Sequence, residues 1–217
     1  MDGCNIYPHS LEYAKQNGEL ELWREDMRQN NACAKAIDEA IRACNYEQYR
    51  YKFSEAVNAV VGKFGYERVT RTLAGTVAGS DNDGRFTSEN RQWAQRFGIP
   101  HDHCSEFVFD THRYVLDGFI SSVRKAHVEM LAQEVGQYEK SHRMAERNRL
   151  TWYHSDFGVF VPNANVSEER LMKRYAEIME KKAERQSVLK QIREAEKVPK
   201  PPRKPKAPDK KREGEDR

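Results

Sequence analysis

Apolar residues along most of the chain recur every three or four positions, which is the period of an amphipathic helix. The longest patterns run over residues 19–44 and 115–131, with charged residues at many of the intervening positions. Residues 54–65 and 66–77 form two shorter patterns that meet at Gly65. A single glycine between two helical patterns predicts a helical hairpin or corner.

Start and stop residues set the expected helix ends. Ser, Thr and Asp side chains accept hydrogen bonds from the free amides of a first helical turn. The predicted N-caps are Ser10, Thr87 or Ser88, and Asp110 or Thr111. Gly18 is expected to end the first helix, and the longest helix is expected to fray beyond Gly136 towards Asn148.

Three segments depart from the helical period. Residues 150–166 are aromatic and contain Gly158 and Pro162, which predicts a β-ribbon or an ordered loop packed on the helices. Residues 107–109 (FVF) predict a brief strand, and residues 45–52 predict a connector.

A charged amphipathic helix is predicted from residue 167 to about Lys197. Its apolar seam is interrupted at Lys182 and Arg185, so it could dock on the body or present the seam to a partner. Pro199 ends it, and five prolines among many charges then predict a disordered basic tail. The expected fold is mostly α: a single helical body (1–149), a minor β-ribbon or loop (150–166), the charged helix (167–198) and the tail (199–217).

Charge is uneven along the 217 residues. The net charge is +3, yet residues 198–217 alone hold eight Lys and Arg against four acids, which leaves −1 for the rest. Mobile cations can displace counterions from phosphates, so any attraction for nucleic acid is assigned to the tail. A solubilising tail or a linker is the competing interpretation. The candidate contacts to nucleic acid or a partner are Lys200, Arg203, Lys204, Lys206, Lys210, Lys211 and Arg212.

The spacing of the cysteines and the hydropathy of the chain indicate the compartment in which the protein is expected. None of the four cysteines has CxxC spacing, and Cys33 and Cys44 would lie roughly 16 Å apart on one helix, too far for a disulfide. No uncharged apolar run approaches the ~18 residues of a membrane span. We expect a soluble cytoplasmic protein with reduced thiols and no membrane partner; the oligomeric state is left open.

Four residues are metal-ligand candidates by type: His101, His103, Cys104 and His112. Their spacing matches no standard zinc site, so we expect no metal, and a hydrogen-bonded core position is favoured for His127. A hydrolase would require His103, Cys104 and Asp110 to converge.

No nucleotide-binding or metalloprotease motif is present, so no cofactor and no catalytic residue is assigned. The acidic turn at residues 80–84 lacks two ligand positions of a calcium loop and is interpreted as a tight turn. Trp23, Trp93 and Phe119 are interpreted as core anchors.

Three motifs carry a family resemblance. They are Asn5-Ile6-Tyr7-Pro8-His9-Ser10, Asp83-Gly84-Arg85-Phe86 with Asn90 and Trp93-Ala94, and Val123-Arg124-Lys125-Ala126-His127. Over about residues 5–130 the chain resembles a family of uncharacterised domains of unknown function, carried on conjugative elements and phages of gut Firmicutes. The resemblance implies a mobile-element protein acting on host defence, DNA transfer or replication, and it brings no activity with it.

The functional expectation is a non-catalytic binding or accessory protein of a bacterial mobile element. It would contact a host or element protein and engage nucleic acid through the tail. One alternative is an anti-defence inhibitor, of the anti-CRISPR type, that binds a nucleic-acid-guided effector. The other is a small hydrolase or metal enzyme centred on residues 101–112.

Overall fold

The computed structural model describes residues 6–44, 46–47, 50–80 and 83–197. Helices make up most of this part of the chain, so the mostly α fold class is confirmed. The elements are α1 (Leu11–Asn17), α2 (Leu20–Arg42), β1 (Tyr46–Glu47), β2 (Arg50–Tyr51), α3 (Ser54–Ala78), α4 (Ser88–Gln95), α5 (Arg113–Ser141), β3 (Thr151–His154), β4 (Val159–Pro162) and α6 (Glu168–Lys197). Short 3₁₀ turns cover His101–His103 and Glu146–Asn148.

The main core lies where α2, α3, α4 and the first half of α5 meet. Trp93 of α4 and Phe119 of α5 are buried there, at 1% and 0% exposure, as their apolar stripes predicted. The aliphatic positions that recur along α2 and α3 fill the rest of this core, including Ile37, Ile41, Val69 and Leu73.

A second, smaller core joins the end of α5 to the C-terminal elements. Leu131 and Val135 of α5 pack with Leu150 and with Leu171 and Ile178 of α6. Residues 181–190 of α6 are all exposed. The first half of α6 therefore docks on the body through apolar packing, and in the following stretch Lys182 forms an exposed ion pair with Glu134 of α5 at 3.3 Å.

Several predicted helix ends are confirmed. The Ser10 hydroxyl accepts the Tyr13 amide at 3.2 Å, and Gly18 closes α1 with a left-handed φ of 73°. The Thr87 hydroxyl accepts the Asn90 amide at 3.3 Å. Gly65 has φ 76° and ψ 156°, so α3 bends there as the two meeting patterns predicted. A residue with a β-carbon would be strained in that conformation.

The segment before α5 differs from expectation. Residues 107–109 form no strand, because side chains of α2 hold the backbone around them: Asp38 accepts the Thr111 amide at 2.8 Å. Neither Asp110 nor Thr111 caps α5, and His112 does so instead, with Nδ1 accepting the Tyr114 amide at 3.4 Å. The Asp110 carboxylate lies 3.5 Å from Arg42 of α2.

Two further boundaries are corrected. Helix α5 ends at Ser141 rather than fraying towards Asn148, because the chain turns at Arg143, whose φ is 51°. The expected connector at residues 45–52 contains a small hairpin in which β1 pairs with β2.

The aromatic segment at residues 150–166 forms the predicted ribbon, with β3 antiparallel to β4. None of the helices in the described part of the chain has the length and apolar content needed to cross a bilayer.

Candidate functional site

A cleft of about 450 Å³ opens between α2, the C-terminal part of α3 and the segment 101–108. We call it the polar cleft, and its lining includes Trp23, Gly75, Gly79, His101, Cys104, Val108 and Arg113. Its volume falls within the ~300–1,000 Å³ typical of ligand pockets.

Two glycines of α3, Gly75 and Gly79, line the polar cleft. Gly75 faces the 101–104 turn, and a β-carbon there would lie 3.5 Å from the Cys104 Sγ, in ordinary van der Waals contact. At Gly79, a β-carbon would lie 3.3 Å from the Gly75 carbonyl oxygen. Side chains at these two positions of α3 would occupy space that the helix backbone now leaves to the cleft.

The opposite wall is held by α2 through polar contacts. The Asn31 side-chain oxygen accepts the Ser105 hydroxyl at 2.8 Å and the Glu106 amide at 2.9 Å. These residues are more than 70 positions apart, so the wall is positioned by tertiary contacts rather than by a local element. It is thereby fixed before any ligand arrives.

Arg113 supplies the positive charge of the polar cleft. Its guanidinium lies between the rings of Phe86 and Phe109, at 6.0 Å and 5.9 Å from their centroids, a cation–π arrangement that fixes its position. Its Nε is 3.9 Å from Asp83, but Arg85 holds that carboxylate at 2.6–2.7 Å and lowers its pKa to about 2. Arg113 Nη1 is buried and has no hydrogen-bond partner among the described residues.

Trp23 adds a second donor. We predicted a core anchor, but the side chain is only half-buried and lines the polar cleft. Its indole Nε1 is buried and lacks a hydrogen-bond partner in the described part of the chain. A buried donor without a partner costs about 1–3 kcal/mol, so two such donors at one cleft favour a ligand that carries acceptor oxygens.

The fold brings two of the four metal-ligand candidates to one cleft and places the other two elsewhere. His101 is exposed and lines the polar cleft with Cys104, whose Sγ lies 3.6 Å from the Pro100 carbonyl oxygen. His103 is buried and its ring is parallel to that of Tyr7. His112 is exposed at the start of α5. Within residues 6–44, 46–47, 50–80 and 83–197, no three His, Cys, Asp or Glu side chains are grouped to hold a metal ion.

The convergence that a hydrolase would require is not found. His103 Nδ1 pairs with Asp102 at 3.0 Å, while its Nε2 is buried without a described partner and so makes no hydrogen bond to the Cys104 thiol. Asp110 lies apart from them beside Arg42. Partial burial would raise the pKa of Asp102, but the Leu11 amide and the His103 ring outweigh it and lower that pKa.

A buried ion pair links α2 to α3 within the same domain. Arg68, 1% exposed, lies 2.8 Å from the Asp26 carboxylate, which is 3% exposed. Arg68 also donates to the Asn30 side-chain oxygen at 2.6 Å. Sequence reasoning missed this pair, as it missed Arg113, because no local pattern relates residues 42 positions apart.

A second cavity of about 600 Å³ lies beside the Gly65 bend, between α3, α5 and α6. His127 lines it, with its ring stacked 5.0 Å from that of Tyr66 and Nδ1 3.7 Å from Glu168. The His127 side chain is only 12% exposed, but it lines a cavity and faces Glu168 instead of making the hydrogen bond that we predicted within the core. None of the described residues lining this cavity carries a buried unpaired donor, so the polar cleft is the stronger candidate.

The tail contacts predicted from sequence, Lys200 to Arg212, lie outside the described residues. Among known families, the model for a protein of unknown function, DUF3849, matches residues 6–128, more than half of the chain and all of the polar cleft. No curated protein and no solved structure matches the chain.

Proposed function

The chain belongs to the DUF3849 family of proteins of unknown function, and we propose that it is a non-catalytic binding protein of a bacterial mobile element. In this proposal, the polar cleft receives one anionic group of a protein partner. The observation that carries it is the pair of buried, unpaired donors on Arg113 and Trp23. The mobile-element setting rests on the sequence resemblance.

Net charge limits the ligand to a single anionic group. Residues 1–139 hold 16 Lys and Arg against 21 Asp and Glu, a net charge of −5. A strongly acidic surface would be repelled by such a body. One carboxylate reaching Arg113 would instead gain a charge-assisted hydrogen bond, which is stronger than a neutral one.

The apolar parts of the cleft favour a protein segment as the carrier of that group. Leu11, Met27 and Phe107 line the cleft, and Val108 is 76% exposed in the same lining. A partner side chain or chain end could cover these surfaces while its carboxylate meets the donors. A host protein, such as a nucleic-acid-guided defence effector, or a protein of the element itself fits this role.

We predict that acetate and a short peptide carboxylate shift the indole N–H resonance of Trp23 in ¹H–¹⁵N spectra. Only three tryptophans are present, so Trp23→Phe identifies the signal. Arg113→Met should weaken binding by roughly 1.5–3 kcal/mol, the range for a hydrogen bond to a charged group. Arg24→Gln, at an exposed pair with Glu21, is the matched control and should leave binding unchanged.

An unchanged chemical shift of the Trp23 indole N–H with acetate, with peptide carboxylate and with inorganic phosphate would contradict the anion site. A shift with phosphate alone would replace the carboxylate by a phosphorylated ligand. For the partner itself, a photocrosslinking residue at position 108 should capture a discrete protein in the host cell. The same residue at position 125, which is equally exposed on α5, is the control.

Nucleic-acid engagement by the basic tail is a second candidate function. The observation that favours it is the exposed stretch 181–190 of α6, which holds four Lys and Arg against one Glu and leads towards the tail. Lys and Arg side chains on an exposed helix can contact the phosphates of a nucleic acid without recognising its base sequence.

Deleting residues 199–217 should weaken duplex binding for every sequence alike. Each lost phosphate contact removes roughly 0.9 from the slope of log affinity against log salt. The melting temperature should stay almost unchanged, because we expect the tail to contribute no buried apolar surface. Equal binding and equal slope in full-length and truncated protein, measured on one duplex at several salt concentrations, would exclude the tail from the mechanism.

A further inference from the structure

The β3–β4 hairpin presents a row of aromatic rings on the face opposite to the one that packs on α5. Trp152 pairs across the strands with Val161, and His154 pairs with Val159, so these four side chains share one face of the hairpin. With Phe157 of the turn, they form what we call the aromatic face. Phe157 is 74% exposed and Trp152 is 48% exposed.

The rings of the aromatic face form a continuous series. The Trp152 and His154 centroids are 5.0 Å apart, and the His154 and Phe157 centroids are 4.7 Å apart. His154 Nδ1 is buried and has no hydrogen-bond partner among the described residues. Exposed rings in such a series offer π-surface that the packing of the described chain does not use.

The hairpin is held rigidly on α5. Glu139, 1% exposed, accepts the Leu150 amide at 2.8 Å and the Thr151 hydroxyl at 2.9 Å. Phe160 packs so closely on α5 that a β-carbon at Gly136 would lie 2.2 Å from its ring. A surface fixed in this way loses little conformational entropy when a ligand stacks on it.

Basic residues lie next to the aromatic face in the sequence. The loop that leads into β3 carries Arg143, Arg147 and Arg149 against Glu146, and we call residues 142–149 the basic loop. Arg149 precedes Trp152 by three residues, a reach of about 10 Å. Residues 140–197 as a whole hold 13 Lys and Arg against 9 acids, a net charge of +4.

We propose that the aromatic face binds single-stranded nucleic acid by stacking on its bases, with the basic loop contacting the phosphates. Aromatic side chains in a positive setting are the means by which proteins hold single strands without reading sequence. Paired bases are already stacked within a duplex, so the aromatic face should prefer single strands. This surface lies outside residues 6–128 and does not depend on the polar cleft or on the tail.

Two other occupants fit the observations less well. A second copy of the chain would bring its own basic loop to the same place, and the like charges oppose self-association. A membrane surface would require the turn to enter the bilayer interface, and Asp156 is exposed beside Phe157 at that turn. A carboxylate at the leading end disfavours such insertion.

The test measures binding of the full chain to labelled oligothymidine, long enough for a site of ~4–16 nucleotides, and to a duplex of equal length. Trp152→Ala should weaken single-strand binding roughly 5- to 150-fold, corresponding to the loss of one stacked base. Trp152→Phe should largely retain it. Both variants should keep the salt dependence of the parent, because no charge changes.

Removing the charges should act differently. The pair Arg143→Gln and Arg147→Gln should flatten the salt dependence by about 0.7 per lost phosphate contact on a single strand. Leu22→Ala, an exposed apolar residue on α2, is the control and should change neither quantity.

Equal affinity of Trp152→Ala, Phe157→Ala and the parent for oligothymidine would overturn the proposal, even if the tail still bound nucleic acid. Binding to vesicles containing anionic phospholipid, without binding to oligothymidine, would overturn it in favour of a membrane. A concentration-dependent dimer that Phe157→Ala abolishes, again without oligothymidine binding, would assign the face to self-association. The expected result is that Trp152→Ala weakens binding to oligothymidine and leaves binding to the duplex unchanged.

Discussion

Arg68→Met is expected to lower the free energy of unfolding by roughly 3–5 kcal/mol, because it leaves the buried Asp26 carboxylate without its cation. The two side chains are 1% and 3% exposed, and Arg68 Nη1 lies 2.8 Å from the Asp26 Oδ1. Solvent therefore cannot replace the lost partner. Urea denaturation followed by circular dichroism measures the change.

The double variant Arg68→Met with Asp26→Leu tests the cause. Replacing both members of a buried ion pair by apolar residues is often neutral or stabilising, whereas removing one is costly. We therefore expect the second substitution to recover much of the stability lost in the first. Arg24→Gln, at a pair more than half exposed, should change stability by no more than about 1 kcal/mol.

An unchanged stability of Arg68→Met would show that the pair contributes nothing to the join between α2 and α3. A double variant no more stable than Arg68→Met would assign the loss to packing or to the Asn30 hydrogen bond rather than to the unpaired charge. Asp26→Leu alone, measured in parallel, completes the cycle that separates these contributions.

Trp93→Ala is expected to lower the free energy of unfolding by roughly 3–5 kcal/mol, the range for removing a large aromatic side chain from a core. Trp93 is 1% exposed, packs edge-on against Phe97 at 5.1 Å between centroids, and has the Arg124 guanidinium 5.8 Å from its ring. For a chain of this size, each 1 kcal/mol corresponds to roughly 2–4 °C in melting temperature. Thermal melts and urea curves should therefore agree on a large loss.

The chain offers a matched control for this substitution. Trp152 is 48% exposed, so Trp152→Ala should change stability by about 1 kcal/mol or less. Similar losses for the two variants would contradict the assignment of Trp93 to the core. Unchanged stability of Trp152→Ala would also show that its weakened nucleic-acid binding does not result from unfolding.

Local sequence patterns were reliable where the determining contacts are local. The Ser10 and Thr87 caps bond amides three residues ahead, and the Gly65 bend follows from the conformation of one residue. The apolar spacing of α5 placed Phe119 in the core, because one stripe of a helix must face its neighbours. Aromatic residues with Gly158 and Pro162 likewise indicated the hairpin at residues 150–166.

Local sequence patterns were unreliable where contacts with residues far away in the sequence determine the position of a segment or side chain. Residues 107–109 have the composition of a strand, yet none of the described residues forms a strand that pairs with them, and α2 holds the flanking backbone instead. Trp23 lies on an apolar stripe of α2, but the end of that stripe reaches a cleft rather than the core. Leu22 beside it is 60% exposed.

The sequence by itself determined the helical class, most helix ends, the main core residues and the division of charge between the two parts of the chain. Only the tertiary structure decided which polar residues meet: Arg68 with Asp26, Asn31 with the 105–106 backbone, and Arg113 with Trp23 at one cleft. It also separated His103, Cys104 and Asp110, which are close in sequence. The physical reason is that helical periodicity depends on residues three or four apart. The packing of α2, α3 and α5 instead brings together residues that lie 42 to 90 positions apart in the sequence.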